Sequence, residues 1–304
     1  MQPMTMRDER MNMPTGALTA FAIVSSDGIK LDAIVHRPDA PTGSVLLAHG
    51  FSADLHEEGA FDLLTERLVD TGIAVVRFSF RGHGKSEGAQ TEMTITGERR
   101  DLIAAYEWMT ENLPGPYGLL GASFGGVSTT LEHENLRPKP SFLALWNPAL
   151  EIGHVFGSDL LDGARRTGYM QVTPNFRIGL PFIEEREYYH GNLGLHHLGG
   201  VPALIVHGTN DVQVPLASSI AAATVPHVDL VILHGASHGF HDPRWEEEAV
   251  RVTVDWVKHH LTENGNIPAA EGIPHQMAQP GKPGTNDLGW TEYRPYRPVS
   301  RTDD

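Results

Sequence analysis

The sequence predicts an α/β protein: a mostly parallel, eight-stranded sheet with helices on both faces and a small lid inserted past its middle. Three observations predict it. Short, continuously apolar runs recur along the chain, as strands buried on both faces require. Amphipathic stretches with apolar residues three to four apart separate them, the pattern of crossover helices. One gap of about fifty residues, between Asn147 and Leu198, breaks the alternation with glycines, aromatics and mixed charge.

The elements follow in order. Residues 1–16 are polar and Met-rich and read as a loose arm. ALTAFAIV and IKLDAIVHRP flank Ser25-Ser26-Asp27-Gly28, and Asp-Gly is a strong hairpin turn. SVLLAHG (44–50) is a buried strand ending in glycine. A helix is expected around 58–72, with Phe61, Leu64, Leu68 and Val69 on one face. IAVVRFSF (73–80) is the next strand, and 94–112 the next helix, through Ile95, Leu102, Ala105, Tyr106 and Met109. YGLLGAS (117–123), FLALWNP (142–148), VPALIVHG (201–208) and VDLVILHG (228–235) complete the strands. The last amphipathic helix spans 243–261 through Trp245, Ala249, Val252, Val254, Trp256 and Val257. The core is therefore 17–148 with 198–262. Residues 149–197 are read as a lid or cap, the alternative being a subdomain that only covers the sheet. Within it TGYMQVTPNFRIGLP suggests a hairpin about Pro174-Asn175. Residues 263–304, rich in Pro, Gly and Asn, lack periodicity and form an extended tail. The lid and the tail are where a homo-oligomer contact is expected.

Composition narrows the function. A formal net charge of −15 repels phosphate backbones and acidic membranes, so neither nucleic acid nor membrane is an expected partner. With 40% hydrophobic and 20% charged residues the chain can build a real core. It has no cysteine, which excludes disulfides, thiolate metal sites and a Cys nucleophile. No apolar signal region is visible near the start and no run of about 18 apolar residues occurs, so a cytoplasmic protein is expected.

The chemistry centres on Gly121-Ala122-Ser123-Phe124-Gly125. A chain with 32 glycines produces G-x-S-x-G by accident, but here it follows a strand and opens a helical stretch. In a strand–turn–helix the middle residue takes a strained turn that only small neighbours permit, lifting the hydroxyl to the carboxyl edge of the sheet. A serine hydroxyl needs a base. Among 17 histidines, His238 in HGASHGF lies just past the last sheet strand. His234 ends that strand and should be tied to its packing. His83, in Arg81-Gly82-His83-Gly84, reads as a structural loop beside the pocket. The adjacent pairs His196-His197 and His259-His260 point apart and make poor metal sites. The base needs a carboxylate to fix its tautomer. Asp211, in HGTNDVQVP after a strand, is chosen. Asp229 lies at the wrong end of its strand, and Asp242 is a weaker rival. Two backbone N–H groups should face the developing oxyanion: Phe124, directly after Ser123, and Phe51, in His49-Gly50-Phe51-Ser52.

These segments together resemble the α/β-hydrolase superfamily across roughly 18–262: HGF at 49–51, FRGHGKSEG at 80–88, GASFGG at 121–126, GTNDVQVP at 208–215 and HGASHGF at 234–240. Within it the chain looks most like the cinnamoyl and feruloyl esterases and their prolyl-oligopeptidase-like relatives. The resemblance implies Ser123 as nucleophile, Asp211 as acid, His238 as base, and Phe51 and Phe124 as oxyanion donors. The lid sequence and the tail depart from those relatives, which leaves the substrate open. The expectation is hydrolysis of a carboxylic ester on a small-molecule acyl substrate without cofactor or metal. Met170, Phe176, Phe182, Tyr188 and Tyr189 are candidate lid contacts, at least half of them expected to be lid core. Thioester or amide cleavage uses the same residues. A ligand-binding protein on the same fold is the reading from another class.

Overall fold

The structure, a computed structural model, describes residues 18–151, 158–189, 191–196, 200–262 and 291–294. The chain opens with β1 (Leu18–Val24) and β2 (Lys30–His36), an antiparallel hairpin. Its turn is closed by Ser25 N–H to Ile29 O and Gly28 N–H to Ser25 O, both 2.8 Å. The remaining sheet strands are β3 (Gly43–Ala48), β4 (Ile73–Phe78), β5 (Tyr117–Ala122), β6 (Phe142–Trp146), then, after a separate hairpin of β7 (Tyr169–Thr173) and β8 (Phe176–Gly179), β9 (Ala203–Gly208) and β10 (Val228–Leu233). Their order is β1-β2-β4-β3-β5-β6-β9-β10, and every neighbouring pair from β4 to β10 is parallel. All eight expected strands form. The tail adds one more, β11 (Thr291–Arg294), antiparallel to β10 at the sheet's edge. The rest of the tail and the N-terminal arm lie outside the described residues.

The helices are α1 (Ala60–Asp70), α2 (Ile95–Asn112), α3 (Gly125–Glu132), α4 (Ser158–Thr167), α5 (Leu180–Glu185), α6 (Gly191–His196), α7 (Leu216–Ala222) and α8 (Pro243–Thr262). Side chains alternate across each strand. On β3, Val45 and Leu47 enter a core with Phe61, Leu64 and Leu68 of α1 and Trp256 and Val257 of α8. Leu46 and Ala48 enter the opposite core, with Leu102, Ala105, Tyr106 and Met109 of α2. Both faces are therefore buried, which is why these strands are apolar without alternation. Each fully buried Val, Leu or Phe contributes about 1.5–3 kcal/mol. Helix α1 begins at Ala60 rather than at 58, because Glu57 and Glu58 take positive φ angles of 45° and 55° that no helix accommodates. The elements α4 to α6, with the β7–β8 hairpin about Pro174-Asn175, are inserted between β6 and β9. They pack through a third cluster, which joins Met170, Phe176, Ile178, Phe182 and Ile183 to Phe124 and Val127 of the main body. Among the described residues no helix is long and apolar enough to cross a membrane.

One polar cluster ties the loop after β4 to its surroundings. Arg81 donates from Nε and Nη2 to the two oxygens of Asp101 on α2, at 2.9 and 2.7 Å, and from Nη1 to Asp27 in the β1–β2 turn at 2.8 Å. Burial raises the Asp101 carboxyl pKa despite the opposing guanidinium, and its side chain is fully covered. Removing one partner of a buried pair leaves an uncompensated polar group. Arg81→Ala should therefore destabilise the fold by about 3 kcal/mol, read as a lower urea midpoint with an unchanged slope. A midpoint equal to that of the native chain would remove this pair as an anchor.

Candidate active site

Ser123 sits between β5 and α3 with φ at +48°, a left-handed conformation costly for a residue with a side chain. The surroundings enforce it. Its N–H donates to Trp146 O at 2.7 Å, and its carbonyl accepts from Ala149 N–H at 3.0 Å, so β6 and the loop after it clamp the turn. Gly125 is required next to it: a Cβ there would lie 2.2 Å from Ala48 O, at the end of β3. Gly50 is equally forced, since its Cβ would meet that of Ser123 at 2.9 Å. The Gly50-Phe51 loop thus runs directly against the serine.

Asp211 and His238 arrive from the loops after β9 and β10. His238 Nδ1 lies 2.7 Å from Asp211 Oδ2, and its Nε2 lies 3.0 Å from Ser123 Oγ. The bond to the carboxylate places the proton on Nδ1, leaving Nε2 to accept from the serine hydroxyl. The other Asp211 oxygen accepts from Gln213 N–H at 2.9 Å and Val214 N–H at 2.8 Å. Burial alone would raise the Asp211 pKa. Hydrogen bonds from His207, His238 and Val214 outweigh it and hold the carboxyl well below the usual carboxylate range. His207 is fully buried, 3.4 Å from Asp211 Oδ2 and 2.7 Å from Ser219 Oγ, and is the second histidine on that carboxylate.

The rejected candidates lie elsewhere. His234 is exposed beyond the end of β10, not held in the strand's packing as expected. Asp242 bonds Arg244 at 2.8 Å, and Asp229 accepts from Trp256 Nε1 at 2.8 Å. His83 is buried 4.9 Å from the His49 ring and 4.6 Å from Phe176. His260 stacks on Trp256 at 3.8 Å. His197 lies outside the described residues.

The aromatic candidates divide. Phe51 and Phe124 stack at 4.1 Å, which brings the two backbone segments side by side. Phe182 of the insertion meets Phe51 edge-on at 4.9 Å and lies 5.2 Å from Phe124. Met170 and Phe176 are buried in the third cluster, so they are packing residues first. Tyr189 bonds Thr96 Oγ1 at 2.9 Å and Arg99 Nη1 at 3.2 Å, which ties the insertion to α2 and not to Ser123. Tyr188 is 80% exposed and lines a separate cavity of about 540 Å³ with Arg165, Glu184 and Glu185. A small space of about 10 Å³ touches Ser123 and is lined by Glu57, Trp146, Asn147, His238 and Phe240. The larger cavity is lined by insertion residues and Thr94, and Ser123 is not among them.

Three site residues escaped sequence reasoning. Asn147, with φ of +41°, bonds Gly208 N–H at 3.0 Å and lines the space beside Ser123. His49 is buried, with Nε2 accepting from Phe80 N–H at 2.9 Å and Nδ1 donating to Gly50 O at 2.7 Å. Glu57 Oε2 accepts from Gly50 N–H at 2.7 Å, and the residue lines the same space as Ser123 and His238. No spacing or periodicity marks Glu57. Only its two-residue left-handed kink with Glu58 turns it inward.

Known proteins agree with this architecture. Residues 39–187 match the family described as serine aminopeptidase, S33. Est1E from Butyrivibrio proteoclasticus, solved with ferulic acid bound, superposes with a TM-score of 0.69 at 22% identity, over 80% of this chain and 99% of that one. The esterase domain of a Rhodothermus marinus protein gives 0.63 at 20% identity, over 81% and 99%. An uncharacterized protein of Mycobacterium tuberculosis is 25% identical over 249 residues, covering 79% of this chain and 78% of its own. The sheet order, the strand–turn–helix at Ser123 and these likenesses show that the chain has the α/β-hydrolase fold.

Two buried histidines make stability depend on pH. Burial lowers the His49 pKa from 6.5 to about 4, against the bond to Gly50, and lowers that of His83 to about 3. The unfolded chain therefore takes up protons first as pH falls. Stability that is complete above about 6.5 is lost toward about 4, at about 1.4 kcal/mol per unit per group. Urea midpoints measured down this range should fall, and His83→Gln should make the fall shallower. An identical acid limb in that variant would assign the loss to other groups.

Proposed function

We propose that the protein is a serine hydrolase that cleaves a carboxylic ester through an acyl-enzyme. The observation that carries this reading is the unbroken chain Ser123 Oγ–His238–Asp211 at the carboxyl edge of the sheet. Ser123 attacks the acyl carbon while His238 Nε2 takes its proton. The ionised Asp211 stabilises the imidazolium that forms. Phe51 and Phe124 N–H groups receive the oxyanion, the latter at the N-terminal end of α3, where the helix dipole favours negative charge. His238 then protonates the leaving alcohol, and water activated by the same histidine releases the acid.

Residues 149–197 act as a lid in this reading. The acyl group lies against the aromatic wall that Phe182 forms with Phe51 and Phe124. An apolar acyl group suits such a wall. The match to a family described as serine aminopeptidase favours a second reading, amide cleavage by the same residues.

A fluorophosphonate probe should label Ser123, and Ser123→Ala should lose both labelling and ester turnover. Normal turnover in that variant would sink the assignment. Asp211→Asn should lower turnover on the order of 10⁴-fold, because the imidazole loses its tautomer, while Asp242→Asn leaves it unchanged. Among p-nitrophenyl acyl esters, acyl thioesters and aminoacyl anilides, the esters should give the highest kcat/KM. Anilides in first place would establish the peptidase reading.

A further inference from the structure

Glu57 is a second carboxyl group beside the serine and the histidine, and neither a hydrolytic triad nor an oxyanion loop requires one. Its placement is built. Glu57 and Glu58 both take left-handed φ angles, 45° and 55°, a conformation that costs non-glycine residues free energy and persists only where the surroundings enforce it. The result is a side chain that reaches back seven residues to accept the Gly50 N–H at 2.7 Å. Its other oxygen lies 3.4 Å from where a Gly50 Cβ would stand, the point that itself meets Ser123 Cβ at 2.9 Å. The carboxyl group therefore lies behind the loop that carries Phe51, in the space that Ser123, His238 and Asn147 also line.

We propose that Glu57 is a positioning residue with two duties: it anchors the Gly50-Phe51 loop against Ser123, and in its charged form it supports protonated His238 during turnover. The inference rests on the hydrolase reading for its catalytic consequence. The first duty follows from geometry. With Gly50 N–H held by Glu57, the next N–H along the chain, that of Phe51, is fixed in direction relative to Ser123. The second follows from charge. His238 becomes a cation when it takes the serine proton, and a carboxylate facing it lowers the energy of that state. Asp211 does this from the Nδ1 side, and Glu57 adds to it from the loop after β3.

Few other charges face Glu57. Asp54 and Glu58 of its own loop act on it weakly, and Glu58 pairs with His241 at 3.2 Å. On α1, Asp62 is bound to His56 and Arg77. Burial is the strongest influence and raises the Glu57 pKa to about 7, opposed by the Gly50 N–H and by His238. The group therefore changes charge across neutral pH. Above its pKa it is a carboxylate and supports the imidazolium. Below it the proton removes that support while the bond from Gly50 persists. The acid side of the rate profile then carries two ionisations rather than one.

Two measurements test this. Glu57, observed by carbon-13 carboxyl shift in the full chain, should titrate near neutrality, and its midpoint should rise in His238→Gln, because His238 opposes its protonation. The rate of fluorophosphonate labelling should show, on the acid side, an additional several-fold step in the native chain that is absent in Glu57→Gln. Gln retains an acceptor for Gly50, so that variant should keep the loop in place and lose only several-fold at the plateau. Glu57→Ala, which loses the anchor too, should be slower by roughly ten- to a hundredfold with KM for ester little changed. A Glu57 midpoint in the ordinary carboxylate range, or one that ignores His238→Gln, overturns the proposal. So does a labelling profile in Glu57→Gln that superposes on the native one. A native chain that takes no label refutes the hydrolase reading instead, and the carboxyl titration then decides Glu57 alone.

Discussion

The site depends on how closely three backbones meet at the carboxyl end of the sheet. A Cβ at Gly125 would lie 2.2 Å from Ala48 O, and one at Gly121 2.6 Å from Gly125 O. Helix α3 can start there only if the chain turns sharply at Ser123, which puts that residue in the left-handed region at a cost of about 1–3 kcal/mol. The clamp from Trp146 O and Ala149 N–H offsets it. The strain and the reactive placement of the hydroxyl are one fact.

Around that turn the loops are held by buried polar side chains rather than by more apolar area. His49 links Gly50 to Phe80, Asn147 links the end of β6 to Gly208, and His207 links Asp211 to Ser219. Each satisfies backbone or side-chain groups that would otherwise be buried without partners. Such bonds have a direction, which apolar contacts lack, so they fix the angle at which each loop leaves its strand. His49 does this in neutral form, because burial disfavours its charge. The site is therefore assembled best near and above neutral pH, where a serine–histidine pair also needs its base free.

The sheet was legible because burial on both faces leaves a plain trace in the sequence: Val45 and Leu47 go one way, Leu46 and Ala48 the other, and all must be apolar. Ser123, Asp211 and His238 were legible because each follows a strand, and parallel strands bring their ends to one edge. The rest was hidden for a physical reason. Glu57 reads as one more acidic residue at a helix start, and only the backbone angles show it turned inward. In the insertion, aromatic content carries no direction. Tyr188 and Phe182 look equivalent in sequence, yet one is exposed and the other packs on Phe51. His234 looked tied to its strand and instead lies past the end, since β10 stops one residue earlier.

Enclosure and charge are linked at this site. Glu57, Trp146, Asn147, His238 and Phe240 leave a space of about 10 Å³ against Ser123, and desolvation is also what raises the Glu57 pKa. Whatever admits water lowers that pKa and charges the carboxyl group. Whatever seals the site with apolar matter keeps it near neutrality, where its interaction with His238 is strongest because the local dielectric is lowest. By linkage the dependence runs both ways: protonated Glu57 favours a dry site, and charged Glu57 favours a hydrated one. The charge of Glu57 thus follows one variable, the amount of water at the carboxyl edge of the sheet.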